Sequence, residues 1–449
     1  MATTALDLRR EDAADSRWQR TLVVNAIEGV DALHLAAAVR DAPGGQLMHV
    51  ARDGGRAAHL AELLGFFAPD IEVVSLPAWD CLPYDRVSPN ADVMARRLEA
   101  LARLLEGRDG PQLILTTVNA LVQKVPGPDV LGAGLFTAAA GERIDRDALL
   151  GCLARNGYRR SGQVVEAGEY AVRGGILDVF PAGGEAPLRL DLFGDELESI
   201  RHFDPLTQRS LGKVDRIALR PVSEVMLDPD SIDRFRVGYM QRFGAATDDP
   251  LLESVSSGRA FPGMEHWLPL FHEELVDLGA YLPDGAPISF DPLAHDALEA
   301  REATIGEHYE ARRNPPEAAR SMGAAPYRAL APEELYLSRA GIERLCGARP
   351  RIDLQTFAAP PSPPTDGARV IDLGARPARD FAAERARPDL NLFDAVVAHV
   401  REEAAARHVL IAAASPGALE RLKGVLEDHG LDHIRRIDRF DQLEESRIP

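Results

Sequence analysis

Between residues 20 and 130, short apolar runs alternate with stretches of helical period. TLVVNAI, QLMHVAR, IEVVSL and LILTTV are rich in β-branched residues and bounded by polar or turn residues, so they read as buried strands. Between them, DALHLAAAVRDA, GRAAHLAELLGFF and ADVMARRLEALARLLEG read as helices. In the last of these, Val93, Leu98, Leu101 and Leu105 recur at helical spacing, with arginines on the other faces. Strands alternating with helices predict a parallel sheet.

Near residue 135 the pattern changes. IDRDALLGCLARNGY is an amphipathic helix, and VRGGILDVF, PLRLDLF and ELESIRHF then follow as strands with no helices between them. A PAGGEA loop and a Gly194-Asp195 turn join them, and glycine first in a two-residue loop suits a type II′ hairpin. DRIALRPVSEV adds a strand. Residues 136–220 are therefore expected to form a small α+β meander, inserted between α/β segments at 20–135 and 221–345.

One strand of the meander has an odd face. In LRLDLF, Leu188, Leu190 and Leu192 alternate with Arg189, Asp191 and Phe193. Successive strand side chains point to opposite sides, so leucines facing a core put Phe193 beside Arg189 on the other side. Arg173 precedes Gly174-Gly175, which can bend or bulge a strand. Two readings stay open. Arg173, Arg189 and Phe193 belong to a sheet face that is either solvated with one stray aromatic or has Phe193 covered by another domain, or they belong to a docking face, because arginines and aromatics dominate interface energies.

Residues 230–345 return to helices with one clear strand, APISFD, and with apolar and aromatic bulk in GMEHWLPLF. RRNPPEAARSMGAAPYRAL reads as a long surface loop. Residues 346–369, with FAAPPSPPTDGAR, read as a linker, because proline-rich polar sequence extends rather than packs. NLFDAVVAHVREEAAA, HVLIAAAS and GALERLKGVLEDHG then predict helix, strand and helix in a separate small α/β domain at 370–449. Residues 1–19 are expected to be a flexible terminus. The expected fold class is multi-domain α/β: a parallel-sheet body, an inserted antiparallel meander and a small C-terminal α/β domain.

Composition narrows the function. The 449 residues exceed one hydrophobic core. With 51 Lys and Arg against 70 Asp and Glu, the formal charge is −19, which disfavours nucleic-acid binding by the surface as a whole. Cys81, Cys152 and Cys346 are widely spaced, giving neither a disulfide framework nor metal-ligand spacing, and are expected to be reduced packed thiols. The polar N-terminus has no signal-peptide pattern, and no apolar run approaches the ~20 residues of a membrane span. A cytoplasmic protein with no membrane partner is expected.

Catalytic constellations are sparse. The Asn25–Ala37 loop after the first strand has a single glycine, Gly29, and the first lysine of the chain is Lys124, so a phosphate loop of Walker type is degenerate here. ISFDPLAHD resembles a strand ending in an acid, Asp291, but Asp-Pro is also an ordinary turn starter. His266 reads as a packed residue. Asp80 and Asp85 have no visible catalytic partner. No metal or cofactor site is expected.

Three stretches carry a family resemblance. LPAWDCLPYDRVSPNADVMARRLEALARLL and GRAFPGMEHWLPLF resemble the first domain of the bacterial transcription-repair coupling factors (Mfd). GEYAVRGGILDVFPAGGEAPLRLDLFGDELESIRHFDPLTQRS resembles their second domain, a unit shared with the nucleotide-excision repair protein UvrB. The resemblance implies a UvrB-like body that has lost nucleotide binding, and a second domain that binds UvrA through Arg173, Arg189 and Phe193. It also implies that the complete proteins displace stalled RNA polymerase with an ATP- and Mg²⁺-dependent translocase on double-stranded DNA. Those polymerase, DNA and motor regions are expected to lie outside this chain, together with a C-terminal domain that covers the docking face. The alternatives are a UvrB-like DNA-dependent ATPase and a DNA-binding module using Arg312-Arg313 or Arg435-Arg436.

Overall fold

A computed structural model describes residues 20–244, 249–314, 327–358, 367–387 and 389–446. Most of the expected 312–330 loop, the proline-rich centre of the expected linker and residues 1–19 lie outside the described residues. Along the chain come β1 (Arg20–Val24), α1 (Val30–Asp41), β2 (Gln46–Ala51), α2 (Gly54–Phe67), β3 (Glu72–Leu76), α3 (Ala91–Leu105) and β4 (Gln112–Thr117). The inserted segment supplies α4 (Arg146–Arg155) and strands β5 (Arg159–Arg160), β6 (Glu169–Arg173), β7 (Ile176–Val179), β8 (Leu188–Phe193), β9 (Glu196–Phe203) and β10 (Ser210–Val214). The chain continues through α5 (Pro229–Phe243), β11 (Ile288–Phe290), α6 (Ala294–Arg313), α7 (Arg339–Gly347), β12 (Arg351–Leu354) and β13 (Arg369–Asp372). It closes with α8 (Leu392–Ala404) and α9 (Pro416–Asp428).

The body is a seven-stranded parallel sheet in the order β13-β1-β12-β11-β2-β4-β3. Every residue of β2 and β4 is buried, as expected for strands covered on both faces. Alternation divides them between two cores: Leu47, Leu113 and Leu115 join one cluster, and Met48, Val50 and Ile114 the other. Side-chain caps fix where helices start. The Asp53 carboxylate accepts from the Arg56 amide at α2, and Asn90 accepts from Asp92 at α3.

Two expectations fail here. The stretch 346–369 is not a linker throughout, because β12 runs through the middle of the body sheet between β1 and β11, and β13 follows as its edge. RIDL is four residues long with charges at alternate positions, so it carries no signal of a central strand. What permits its burial is compensation: Asp353 accepts from Arg20 Nε at 2.6 Å and Arg351 Nε at 2.9 Å, and its other partner His295 lies at 3.0 Å. Residues 374–449 do form a separate unit, but its described secondary structure is helical only, and HVLIAAAS is not a strand. A strand needs a neighbouring backbone to bond. Among the described residues of 374–449 no other strand is present to supply one.

The insertion opens with Phe136–Ala139 and closes with Arg216–Leu219, and these two strands pair antiparallel, so the chain enters and leaves the unit at one place. Its second sheet runs β10-β9-β8-β7-β6-β5, mixed because β5 is parallel to β6. Leu177, Leu188, Leu190, Leu197 and Ile200 pack with Leu149 and Leu153 of α4. Among the described residues, no helix is long and apolar enough to cross a membrane.

Candidate protein-docking face

The opposite side of the second sheet is divided in two. At one end Val164, Ala171 and Phe203 form a small buried cluster with Phe180 against it. At the other end two tight turns lie side by side. Arg173 pairs with Ile176 across Gly174-Gly175, and Phe193 pairs with Glu196 across Gly194-Asp195. Gly174 and Gly194 have φ of 61° and 62°, the left-handed region open to glycine at little cost. Gly175 bonds its neighbour: the Leu192 amide donates to its carbonyl at 2.8 Å. A Cβ at Gly175 would stand 2.6 Å from the Leu192 carbonyl oxygen, so the approach of the two turns requires a residue without one. The expected bend at Gly174-Gly175 is thus a complete reversal. The second turn is braced from behind, where the Ile144 amide donates to the Asp195 carbonyl at 2.7 Å.

This geometry puts Phe193 on the rim with 75% of its surface exposed, and Ile176, on the adjacent strand, is also open. Arg173 lies exposed at the same rim and donates to the Gly162 carbonyl at 2.5 Å. Arg189 is placed differently. Its guanidinium grips Asp178 with two hydrogen bonds, Nε–H at 2.7 Å and Nη2–H at 2.9 Å, and donates from Nη1 to the Gln208 carbonyl at 3.2 Å. It also lies over the Phe203 ring, 4.8 Å from the centroid, and only 17% of its side chain is exposed. The hydrogen bonds it donates to Asp178 raise its pKa further, so the guanidinium is firmly charged yet already paired. The fully solvated Arg189 expected from alternation is corrected: the ring and Arg173 share the open rim, and Arg189 props the sheet behind it.

Sequence reading missed Ile176 and Asp178. The signal was present, because ILDV alternation puts both on the Arg189 side once β7 is registered against β8, with Leu177 opposite Leu190. Asp191 belongs to the same face and holds Arg201, Oδ2 to Nη2 at 2.5 Å.

The other candidates take structural places. Asp80 accepts from the Asn90 amide at 2.9 Å and Asp85 from the Arg86 amide at 2.7 Å, both shaping their loop. His266 is buried against Trp79 and Tyr84, and burial depresses its pKa to about 4. Arg312 donates to the Tyr84 carbonyl and covers Tyr327, while Arg436 pairs with Asp438. At the degenerate loop, Asp31 in the first turn of α1 and Asp291 after β11 are both buried and both bound by Arg56 of α2; Arg56 Nε–H donates to Asp291 at 2.9 Å. Asp31 also accepts from the Ala32 amide.

The class of unit this defines agrees with comparison to known families. Residues 136–224 match the UvrB interaction domain, four residues beyond the expected end of the meander. Over more than half of its length the chain is similar to transcription-repair-coupling factors. It is 33% identical over 339 residues to that of Haemophilus influenzae, covering 75% of this chain and 28% of the relative. It is 36% identical over 263 residues to that of Escherichia coli, 58% of this chain and 23% of the relative. It is 35% identical over 340 residues to that of Myxococcus xanthus, 71% and 27%. These matches bear out the resemblance to the UvrB-like region of the transcription-repair coupling factors, and with it the theme of DNA repair coupled to transcription. The chain spans about a quarter of the length of these relatives.

Proposed function

We propose that this chain is a non-catalytic recruitment module that binds UvrA through its 136–224 unit, bringing nucleotide-excision repair to sites of stalled transcription. In this reading the polymerase-displacing, ATP-driven translocase and its contacts with double-stranded DNA belong to the longer relatives. The observation that carries the reading is the rim of the UvrB interaction domain, where Phe193 stands 75% exposed beside Ile176 and Arg173. An aromatic ring on a braced turn, next to a cation, is the anchor type that dominates protein interfaces. A body without nucleotide chemistry is supported by the place where the loop after β1 meets α1. There the buried Asp31 and Asp291 carboxylates, cross-linked by Arg56, stand where a polyphosphate would have to sit, and they would repel it.

The test is calorimetric titration of the chain with UvrA. Wild-type binding in which Phe193→Ala loses about 1–3 kcal/mol is expected. Absence of binding by the folded wild-type chain, or undiminished affinity in Phe193→Ala, would overturn the reading. A parallel titration with ATP and Mg²⁺ should give no micromolar binding.

A further inference from the structure

We propose that the body carries a second docking site, a groove between α6 and α7 that takes a basic amphipathic helix of a partner protein. The two helices belong to the layer that covers the body sheet, and they stand apart around a cavity of about 460 Å³ walled entirely by described residues. Phe290 at the end of β11, Ile305 of α6 and Ile342 of α7 give it an apolar floor. Along α6 the lining runs from His295 to Gly306, a length of about 16 Å at 1.5 Å per residue, or three helical turns.

The rim selects the charge of the occupant. Glu302 of α6 and Glu333 ahead of α7 line the groove, are exposed, and have no ion-pair partner among the described residues. Glu299 and Glu343 also line it and share one cation, Arg339, which reaches Glu299 of α6 across the mouth at 3.4 Å and Glu343 of its own helix at 3.6 Å. Those exposed bridges are weak and a partner's lysines can replace them. The net charge of −19 steers basic partners toward the body. The walls select conformation. They are helices whose backbone groups are internally bonded, so an extended peptide would leave its own N–H and C=O groups unpaired over an apolar floor. A helix satisfies them itself.

Cys346 lines the groove and reports on its occupancy, while Cys81 lies elsewhere and serves as an internal reference. The probe is a synthetic 14-residue helix with a leucine stripe and lysines on its other faces. Its counterpart carries the same stripe with glutamates. Alkylation of Cys346 in the full chain by iodoacetamide is followed by mass spectrometry at pH 8.5. With the lysine peptide at ten times its Kd, the Cys346 rate should fall about tenfold while that of Cys81 is unchanged. The glutamate peptide should leave both rates unchanged, and Glu302→Lys with Glu333→Lys, both exposed changes, should abolish the protection. No protection by the lysine peptide overturns the proposal. Equal protection by both peptides does so too, since it reveals indiscriminate apolar binding, as does protection that survives the double charge reversal.

Discussion

The Arg97 guanidinium and the Glu224 carboxylate meet at 2.9 Å with both side chains sealed from solvent. Arg97 comes from α3 of the body, and Glu224 is the last residue of the stretch that matches the UvrB interaction domain. The other Glu224 oxygen accepts from Trp79 Nε1–H at 3.0 Å, and its backbone carbonyl meets His272 Nε2 at 2.8 Å. The exit of the inserted unit is therefore clamped to the body from three directions.

That clamp gives a stability prediction. Glu224→Gln keeps shape and the tryptophan's acceptor but strands a buried guanidinium, so it should destabilise by about 3–5 kcal/mol. Replacing both partners, Arg97→Met with Glu224→Leu, removes both charges and should cost clearly less. Thermal unfolding of the three variants measures this. A double variant as damaged as Glu224→Gln, or a neutral Glu224→Gln, contradicts the clamp.

Arg189 and Phe193 should separate under the same measurement. Phe193 touches mostly solvent, so Phe193→Ala should change stability by less than about 0.5 kcal/mol. Arg189→Ala leaves the buried Asp178 carboxylate without its two donors and should lower stability by about 1–3 kcal/mol. Loss of UvrA binding in Arg189→Ala would then need to be read beside its unfolding curve. Equal melting of the two variants would remove the propping role given to Arg189.

What the sequence revealed followed from periodicity. The strands β1 to β4, the helices between them and the leucine face of β8 all come from apolar spacing, which burial on a sheet imposes directly. Long-range pairing was not legible. Nothing local in RIDL signals that Arg20 and His295, 333 and 58 residues from Asp353, compensate its burial and make it a central strand. HVLIAAAS failed for the converse reason, since an apolar run becomes a strand only where a partner edge exists. At the rim, alternation along LRLDLF set Phe193 beside Arg189, the glycine pair drew attention to Arg173, and the family resemblance gave the three a shared role. The burial of Arg189 depends on Asp178 of the neighbouring strand, a cross-strand pair that alternation within one strand does not disclose.

Gly175→Ala tests the rim itself. The added methyl carbon would lie 2.6 Å from a backbone oxygen, which cannot rotate away as a side chain would. The two turns must then separate, breaking the bond from the Leu192 amide to Gly175. A loss of about 1–3 kcal/mol is expected, with amide exchange at Leu192 accelerated while that of β4 is not. Unchanged exchange at Leu192 would show that the turns do not depend on this approach.

Mild acid should destabilise the body through its buried histidines. His49 and His266 are fully buried, and burial depresses their pKa values to about 3 and about 4 from the ordinary 6.5. Arg56 depresses His49 further, while around His266 Asp85 opposes the burial and Arg312 reinforces it. Below pH 6.5 the unfolded chain takes up protons that the folded chain refuses, so unfolding gains and stability falls with decreasing pH. Their contribution is whole above pH 6.5 and is lost progressively as pH falls toward 4 and 3. Asp353 acts lower: burial pushes its pKa up, but His295, Arg351 and Arg20 together outweigh it and hold it at about 2, so its share is whole above the ordinary 3.8 and lost beneath it. Between pH 6.5 and 4.5 the histidines should therefore set much of the slope of melting temperature against pH. His49→Gln and His266→Gln should each flatten that slope, whatever they do to stability at pH 7. An undiminished slope in both variants would assign the acid sensitivity to other groups.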